Sequence, residues 1–251
     1  MIYSCLSDIG RVRKNNEDYC RGEIINVNDE PIGIFALADG MGGHKKGEVA
    51  SFLAVENIID LIKNRILESS VIKMDYIDDI IKQAYNDVNL IIYNKSRESE
   101  EYLGMGTTLA LAIIYKDNIC IANVGDSRTY LFRGNNLNQI SIDHSVVEEL
   151  LKAEVITPQE AKVHPRRNQI TRAIGTDSLV IVDIFKEKLN EGDKILLCSD
   201  GLTGFVDDQK IIEILSSEES TNVLAQRLIN TANKSFGKDN ITVILIEVRR
   251  R

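Results

Sequence analysis

The chain has 251 residues, of which 43% are hydrophobic and 27% charged, and its formal net charge at pH 7 is −8. This length and composition are typical of a globular protein with a sizeable core, and only 3 prolines and 16 glycines leave little material for a flexible linker. The negative charge argues against wide contact with a nucleic-acid backbone, which needs a basic face. We therefore predict a single domain over 1–251 with no nucleic-acid partner.

The first half of the chain combines strands with two amphipathic helices. A short apolar strand precedes the polar segment 8–18, and the continuous apolar run 32–38 has the composition of a buried strand. Apolar residues then recur at helical spacing over 48–65 and again over 75–99. This periodicity predicts two amphipathic helices.

The second half is richer in strands. Short β-branched or aromatic runs separated by turn residues predict strands at 107–115, 119–124, 129–132, 180–186, 194–198 and 241–248. Helices are predicted at 208–216 and 220–236. The weaker periodicity of 143–177 predicts a mostly helical flap over the site. This order of elements favours an α+β fold with helices packed outside antiparallel sheets.

The hydropathy and the cysteines bear on location. The first residues show no basic region followed by an apolar stretch, so they do not resemble a signal peptide. No apolar run approaches the ~20 residues of a membrane-spanning helix. The four cysteines are far apart and form no CxxC pair: Cys5, Cys20, Cys120 and Cys198. Such a pattern fits a reducing compartment, so we predict a cytoplasmic protein without a membrane segment.

Aspartates recur where apolar strands end. Asp8, Asp39, Asp126 and Asp200 each follow such a run, and Asp239 stands immediately before the last one. Each aspartate alone is explained by a turn, because aspartate is poor in strands and good in turns. The ends of strands in one sheet system lie together, however, and clustered carboxylates are unfavourable unless a cation neutralises them or some stay protonated.

The donor types indicate which cation would suit this cluster. Mg²⁺ and Mn²⁺ prefer carboxylate, carbonyl and water oxygens, whereas zinc is disfavoured by a chain with only 3 histidines and no cysteine pair. Two ions bridged by a carboxylate would activate a shared water and clamp a phosphate. The residues thus predict a metal-dependent phosphoester hydrolase without a covalent intermediate.

Arg13 and the glycine turn 40–43 are two further candidates for a phosphate site. Arg13 is the candidate phosphate ligand, because a guanidinium matches phosphate oxygens bidentately; alternatively it is a solvated arginine between Arg11 and Lys14. The glycine turn 40–43 is not a nucleotide loop, since it matches neither GxGxxG nor a P-loop. His44 beside it is more typical of a surface or structural histidine.

Eight short motifs follow one another along nearly the whole chain. They are DxGxxRxxNED at 8–18, DGMGG at 39–43, GMGTT at 104–108, GDSR at 125–128, DHS at 143–145, ITRAIG at 170–175, SDGL at 199–202 and DNIT at 239–242. Each motif is weak, but their ordered succession is specific. Through this succession of motifs the chain resembles the metal-dependent protein phosphatases, which are the type 2C serine/threonine phosphatases, in their compact bacterial form.

The resemblance implies two Mn²⁺ or Mg²⁺ ions and a weaker third. Asp39 would bridge the two ions, with the Gly40 carbonyl on one and with Asp200 and Asp239 on the other. The positions that match the family's metal site are Asp18, Asp39, Gly40, Asp126, Asp200 and Asp239.

The remaining site positions follow from the same resemblance. Asp18 would hold a metal-bound water, with Glu17 beside it, and Asp126 would form the third site together with Asp200. Asp8 and Asn240 would be supports that orient the ligands.

The implied reaction is hydrolysis of phosphoserine or phosphothreonine. Arg13 would grip the phosphate while the water or hydroxide bridging at Asp39 attacks phosphorus in line, which makes these two residues the implied catalytic pair. Met41 stands where eukaryotic members carry a histidine thought to protonate the leaving alkoxide. Because a thioether donates no proton, our first candidate for the acid is a metal-bound water near Asp126.

The family fold is a central sandwich of two antiparallel β-sheets flanked by helices, with a flap that corresponds to 143–177 here. Arg166 and Arg167 in the flap are candidate contacts to phosphopeptides. The implied partners are phosphoprotein substrates and a bacterial Hanks-type kinase, and we expect a monomer. Two alternatives remain at this point: an inert member serving as a binding module, which the retained aspartates disfavour, and a metallophosphoesterase acting on nucleotides or small phosphates.

Overall fold

A computed structural model describes residues 1–42, 46–69 and 74–249. The strands are β1 (Ile2–Asp8), β2 (Asp18–Val27), β3 (Glu30–Met41), β4 (Gly106–Thr107), β5 (Leu109–Tyr115), β6 (Asn118–Val124), β7 (Arg128–Arg133), β8 (Asn136–Gln139), β9 (Asp183–Lys188), β10 (Lys194–Cys198) and β11 (Ile241–Glu247). The α-helices are α1 (Lys46–Glu68), α2 (Met74–Lys95), α3 (Val146–Lys152), α4 (Pro158–Val163), α5 (Asp200–Thr203), α6 (Asp208–Leu215) and α7 (Thr221–Lys234). Gly43 and His44 lie outside the described residues.

The strands form two sheets, and their pairs are antiparallel. One sheet has the order β1-β11-β10-β7-β8, and the other has β2-β3-β5-β6-β9 with β4 beside β3. Buried side chains of both sheets, such as Phe35, Ile121, Leu197 and Ile244, share one core layer. The predicted fold class, a sandwich of two antiparallel sheets flanked by helices, is confirmed.

Helices cover both outer faces of the sandwich. The apolar face of α1 and α2 packs on the β2–β9 sheet, and that of α6 and α7 packs on the β1–β8 sheet. Strands β3, β5 and β6 are therefore covered on both sides, which explains their nearly unbroken buried sequences. No helix in the described ranges has both the length and the apolar character needed to cross a bilayer.

The structure corrects several predicted elements. Strand β2 and the short β8 and α5 were not predicted. Helix α2 ends at Lys95 and not at residue 99, and the strand predicted at 180–186 lies at Asp183–Lys188. The strand predicted at 107–115 is interrupted at Thr108, whose backbone N–H and hydroxyl are both bonded to Asp39.

The flap prediction is only partly correct. Within 143–177, helices α3 and α4 span 7 and 6 residues, and the remainder is mostly turns and irregular backbone. Isolated bridges join Ser145 to Ile170 and Thr107 to Ile174, so the two ends of the segment are tied to each other and to β4. The segment is an irregular excursion carrying two short helices, not a mostly helical insertion.

Candidate metal centre

Two aspartates face each other across neighbouring strands. Asp18 begins β2 and pairs directly with Asp39, near the end of β3. The backbone N–H of Asp39 donates to Thr108 Oγ1 at 2.9 Å, and its carbonyl accepts from the Thr108 N–H at 2.9 Å. Like charges at directly opposed positions are destabilising, so this pair needs protonation or a counter-ion.

The other sheet brings its aspartates to the same place. Asp200 begins α5 just after β10, and Asp239 lies two residues before β11, the neighbour of β10. Between the sheets, the Ser199 hydroxyl donates to Asp18 Oδ2 at 2.7 Å and accepts from the Thr242 N–H at 3.0 Å. Ser199, the residue before Asp200, therefore ties Asp18 of one sheet to the strand ends of the other.

Asp126 occupies the turn where the chain crosses from β6 in one sheet to β7 in the other. Gly125 in this turn has φ +105°, and a Cβ there would lie 2.5 Å from Thr108 Cγ2. The turn is also held by a 2.7 Å hydrogen bond between the hydroxyls of Ser127 and Thr108. A glycine is thus required to bring Asp126 close to the residues around Asp39.

Burial and mutual repulsion perturb this cluster strongly. Burial, with Asp200 and Asp239 adding to it, raises the pKa of Asp18 to about 7. Burial and the charge of Asp200 raise the pKa of Asp126 to about 7, and burial with Asp239 raises that of Asp200 to about 6. The pKa of Asp39 is also raised well above its usual value, by burial and then by Asp18. A nearby cation would relieve this penalty.

The donor set fits a hard divalent cation. Asp18 Oδ1 and Glu17 Oε1 are buried and have no hydrogen-bond partner within the described part of the chain, so both are available to accept from a water or to bind a cation. The surrounding donors are oxygens, which Mg²⁺ and Mn²⁺ prefer. Within 1–42, 46–69 and 74–249, however, no three acidic, histidine or cysteine side chains already surround one point at ligand spacing. The structure shows converging carboxylates, not a preformed shell.

Arg13 is paired with one of the predicted metal ligands. Its guanidinium donates to Asp239 Oδ2 at 2.8 Å, and 47% of its side chain is exposed. The hydrogen bond to Asp239 is the main cause of a raised Arg13 pKa. The structure therefore places the predicted phosphate ligand at the edge of the aspartate cluster, with one face open to solvent.

The two predicted supports act on the loop that carries Arg13. Asn240 Oδ1 accepts from the Glu17 N–H at 2.9 Å, and its Nδ2 donates to the carbonyls of Ile9 and Asn15 at 2.9 and 3.0 Å. Asp8 Oδ1 accepts from the Gly10 N–H at 2.8 Å. Both side chains thus fix the backbone of 8–17.

Gly40 lies at a contact too close for any side chain. A Cβ at this position would be 2.0 Å from the Gly47 carbonyl oxygen and 2.6 Å from that of Glu17. The start of α1 therefore packs directly on the backbone after Asp39. The role of the Gly40 carbonyl as a metal ligand stays a prediction.

Comparison with known proteins decides the family. Residues 11–242 match the family model described as protein phosphatase 2C. The chain belongs to the protein phosphatase 2C family. It is 41% identical to the serine/threonine phosphatase stp of Listeria welshimeri over 241 residues, which cover 96% of this chain and 93% of the relative.

Solved structures support the same assignment. The serine/threonine phosphatase of S. agalactiae is 36% identical, covers 99% of both chains and superposes with a TM-score of 0.88. The catalytic domain of the phosphatase PstP, solved with two manganese ions, is 33% identical with a TM-score of 0.84, over 99% of this chain and 98% of that one. Both similarities extend over nearly the whole chain, so they indicate a shared family and not only a shared fold.

Several site residues of this phosphatase 2C chain were not assigned roles from the sequence. Ser199 and Thr108 belong to the motifs SDGL and GMGTT, but the sequence indicated no separate role for either of them. His144 is buried, its Nδ1 accepts from the Gly125 N–H at 3.1 Å, and its Nε2 therefore donates to Asp183 Oδ2 at 3.2 Å. Burial lowers the pKa of His144. This neutral histidine links the flap to the turn of Asp126, and no sequence spacing signals that contact.

We expect Asp18→Asn to stabilise the protein in chelator by about 1–2 kcal/mol, because it removes a buried charge that faces Asp39. The amide still accepts the Ser199 hydrogen bond. Saturating Mn²⁺ should stabilise the wild type more than the variant, which reverses or abolishes the difference. Urea unfolding with and without Mn²⁺ measures both effects.

Asp8→Asn is the matched control, because Asp8 has hydrogen-bond partners in Gly10 and Asn233. It should bring no gain in chelator. Equal destabilisation by both substitutions, independent of Mn²⁺, would show that the orphan oxygen of Asp18 has nothing to do with a cation.

Proposed function

We propose that the protein is a Mn²⁺- or Mg²⁺-dependent phosphatase of phosphoserine and phosphothreonine in proteins. One observation carries the proposal: aspartates from strand ends of both sheets converge beside the half-exposed Arg13, and among the described residues the buried Asp18 Oδ1 has no hydrogen-bond partner. The PstP catalytic domain, which shares this fold, was solved with two manganese ions. The named relatives are serine/threonine phosphatases.

The proposed metal ligands are those implied by the family pattern. Asp39 and the Gly40 carbonyl, with Asp200 and Asp239, would hold two ions, and Asp18 would act through a water. Asp126 would hold a weaker third ion. When bound, the ions supply Lewis-acid activation of water and neutralise charge on the phosphate. The orphan Oδ1 of Asp18 and the raised carboxyl pKa values support this set.

Arg13 is proposed to bind and orient the substrate phosphate. Its guanidinium has five donors, of which the Asp239 contact uses one, and its loop is fixed by Asn240 through three hydrogen bonds. A phosphate at this position would compete with Asp239 for the guanidinium. The loop contacts of Asn240 hold the backbone in place during that exchange, which keeps the entropic cost of positioning low.

The leaving alkoxide needs a proton that Met41 does not supply. Met41 ends β3 opposite Gly106, where an added Cβ would lie 2.8 Å from Met41 Cε. The same added Cβ would lie 2.9 Å from Thr176 Cγ2, so the Met41 thioether and the flap segment both approach Gly106. We propose that a water near Asp126, of the kind that a bound cation would make more acidic, provides the proton.

The wider assignments are also proposals. A single catalytic domain over 1–251 is supported by the core layer that strands from both ends of the chain share. We propose that the protein acts in the cytoplasm as a monomer and opposes a Hanks-type kinase. The four free thiols suit that compartment, and the exposed Arg166 and Arg167 are proposed to contact substrates from the flap.

The proposal is tested by comparing substrates and metals. We expect hydrolysis of a phosphothreonine peptide in Mn²⁺ and loss of turnover in excess chelator, with recovery when Mn²⁺ is restored. Phosphate release is measured for the peptide and, at equal concentration, for a nucleoside triphosphate and a nucleoside monophosphate.

Each alternative has its own outcome. Undiminished turnover in chelator would overturn the metal-dependent mechanism. Higher kcat/KM for nucleotides than for the peptide would favour a metallophosphoesterase of small phosphates. Absence of Mn²⁺ binding by calorimetry, together with no turnover, would indicate an inert binding module.

A further inference from the structure

Phe236 combines an unfavourable backbone with an exposed aromatic ring. Its φ is +91°, and 74% of the residue is exposed. A residue with a Cβ adopts this left-handed region only at a cost in free energy, and a ring in solvent gains no burial to offset it. The backbone conformation itself is explained by the end of α7, because Phe236 follows the C-cap Ser235 and lets the Gly237 N–H donate to the Ala232 carbonyl at 3.1 Å. That turn does not explain why the position carries a large aromatic ring in solvent.

The strained residue lies beside the proposed phosphate site. The Arg11 N–H donates to the Gly237 carbonyl at 2.8 Å, which joins the loop of Arg13 to the loop that leads into Asp239. Val12, next to Arg11, is 63% exposed. Two exposed apolar side chains, Val12 and Phe236, therefore flank a single backbone hydrogen bond at the Arg13–Asp239 ion pair.

The backbones of the two loops are in direct contact, and this contact fixes the positions of the side chains that the loops carry. A Cβ on Gly10 would lie 2.1 Å from the Asp239 carbonyl oxygen, and one on Gly237 would lie 3.2 Å from Arg11 Cγ. The Lys238 ammonium sits 5.5 Å from the centre of the Phe236 ring, within cation–π range. Pre-organisation of this kind lowers the entropic cost of binding.

We propose that Val12 and Phe236 form an apolar wall that receives an apolar side chain next to the phosphorylated residue of the substrate. This inference rests on the proposed function, because the occupant is identified by its continuity with the phosphate held at Arg13. A peptide whose phosphate is held at Arg13 would carry its neighbouring residues close to the joined loops, because Val12 precedes Arg13 directly. The wall would then select among substrates by the residues that flank the phosphate.

The test uses Phe236→Gly, because glycine removes the ring and suits a φ of +91°. Two phosphothreonine peptides are compared, one with leucine and one with serine on both sides of the phosphothreonine. For the wild type we expect kcat/KM to favour the leucine peptide roughly fivefold, as partial burial of one apolar side chain gives. In Phe236→Gly the ratio should fall to about one.

Further readouts separate selectivity from stability and from the chemistry. Hydrolysis of para-nitrophenyl phosphate and the melting temperature should not fall in Phe236→Gly. Val12→Ser should reduce the ratio in the same direction. Leu67→Ser is the matched control, because Leu67 is also exposed, at 52%, but lies in the last turn of α1.

The outcomes distinguish this inference from the function on which it rests. Equal kcat/KM of the wild type for the two peptides, or an unchanged ratio in Phe236→Gly, would overturn the wall while leaving the phosphatase activity standing. Failure of the wild type to hydrolyse either peptide would overturn both. A parallel fall on both peptides and on para-nitrophenyl phosphate would assign Phe236 to the integrity of the site and not to selectivity.

Discussion

Asp39→Asn is expected to reduce turnover of a phosphothreonine peptide by at least about a thousandfold, the scale on which loss of a central charge-stabilising group acts. The amide has nearly the same shape, and the backbone of residue 39 keeps its hydrogen bonds to Thr108. Folding should therefore survive. What is lost is the charge at the centre of the cluster, opposite Asp18 and close to Asp200.

The measurement is kcat and KM at saturating Mn²⁺, with circular dichroism to verify folding. Asp60→Asn is the control, because Asp60 lies on α1, its side chain is 57% exposed, and it forms a 3.3 Å surface ion pair with Arg21. A surface ion pair of this kind contributes little, so activity should be unchanged. Retention of more than about a tenth of wild-type turnover by Asp39→Asn would exclude Asp39 from the central position we propose.

Gly201→Ala is expected to destabilise the protein by about 3 kcal/mol and to abolish most activity. A Cβ on Gly201 would lie 1.8 Å from the Asn240 carbonyl oxygen. Both atoms belong to rigid backbone, so one segment must move. Because Gly201 follows Asp200 and Asn240 follows Asp239, the displacement separates two proposed ligands.

Urea unfolding measures the stability loss, and Mn²⁺ titration by calorimetry measures the effect on the site. Gly134→Ala is the matched control: its φ of +55° is strained for alanine, but apart from its chain neighbours no atom of the described residues lies within 4 Å of the added Cβ. It should cost about 1 kcal/mol and leave Mn²⁺ binding intact. Equal losses in the two variants would show that the close approach of Gly201 to Asn240 does not govern the site.

The elements best predicted from the sequence were those with a strong local pattern. Strand β10 was predicted at its observed bounds, and α6 was predicted at 208–216 and observed at Asp208–Leu215. Strand β2 was missed because its sequence mixes polar and apolar residues. Its outer face is covered by α1 partly through ion pairs, such as Arg21 with Glu56 at 2.9 Å, and ion pairs leave no hydrophobic period.

For the candidate site, too, local features were predicted from the sequence and contacts between distant residues were not. The sequence indicated the aspartates, because a polar residue after an apolar strand is a local feature, and their ordered motifs indicated the family. It did not indicate that Arg13 pairs with Asp239, a residue 226 positions away. Nor did it reveal that Ser199 bridges the sheets through Asp18.

By itself, then, the sequence determined the fold class, the family and the residue types of the site, since hydrophobic period and motif order are properties of the chain. Only the tertiary structure decided which aspartates face one another, which oxygens remain without partners among the described residues, and where the exposed ring of Phe236 lies. The physical reason is that these features depend on contacts between segments distant in sequence. Their energies arise from burial and from charge separation, and both are defined only once the two sheets have packed.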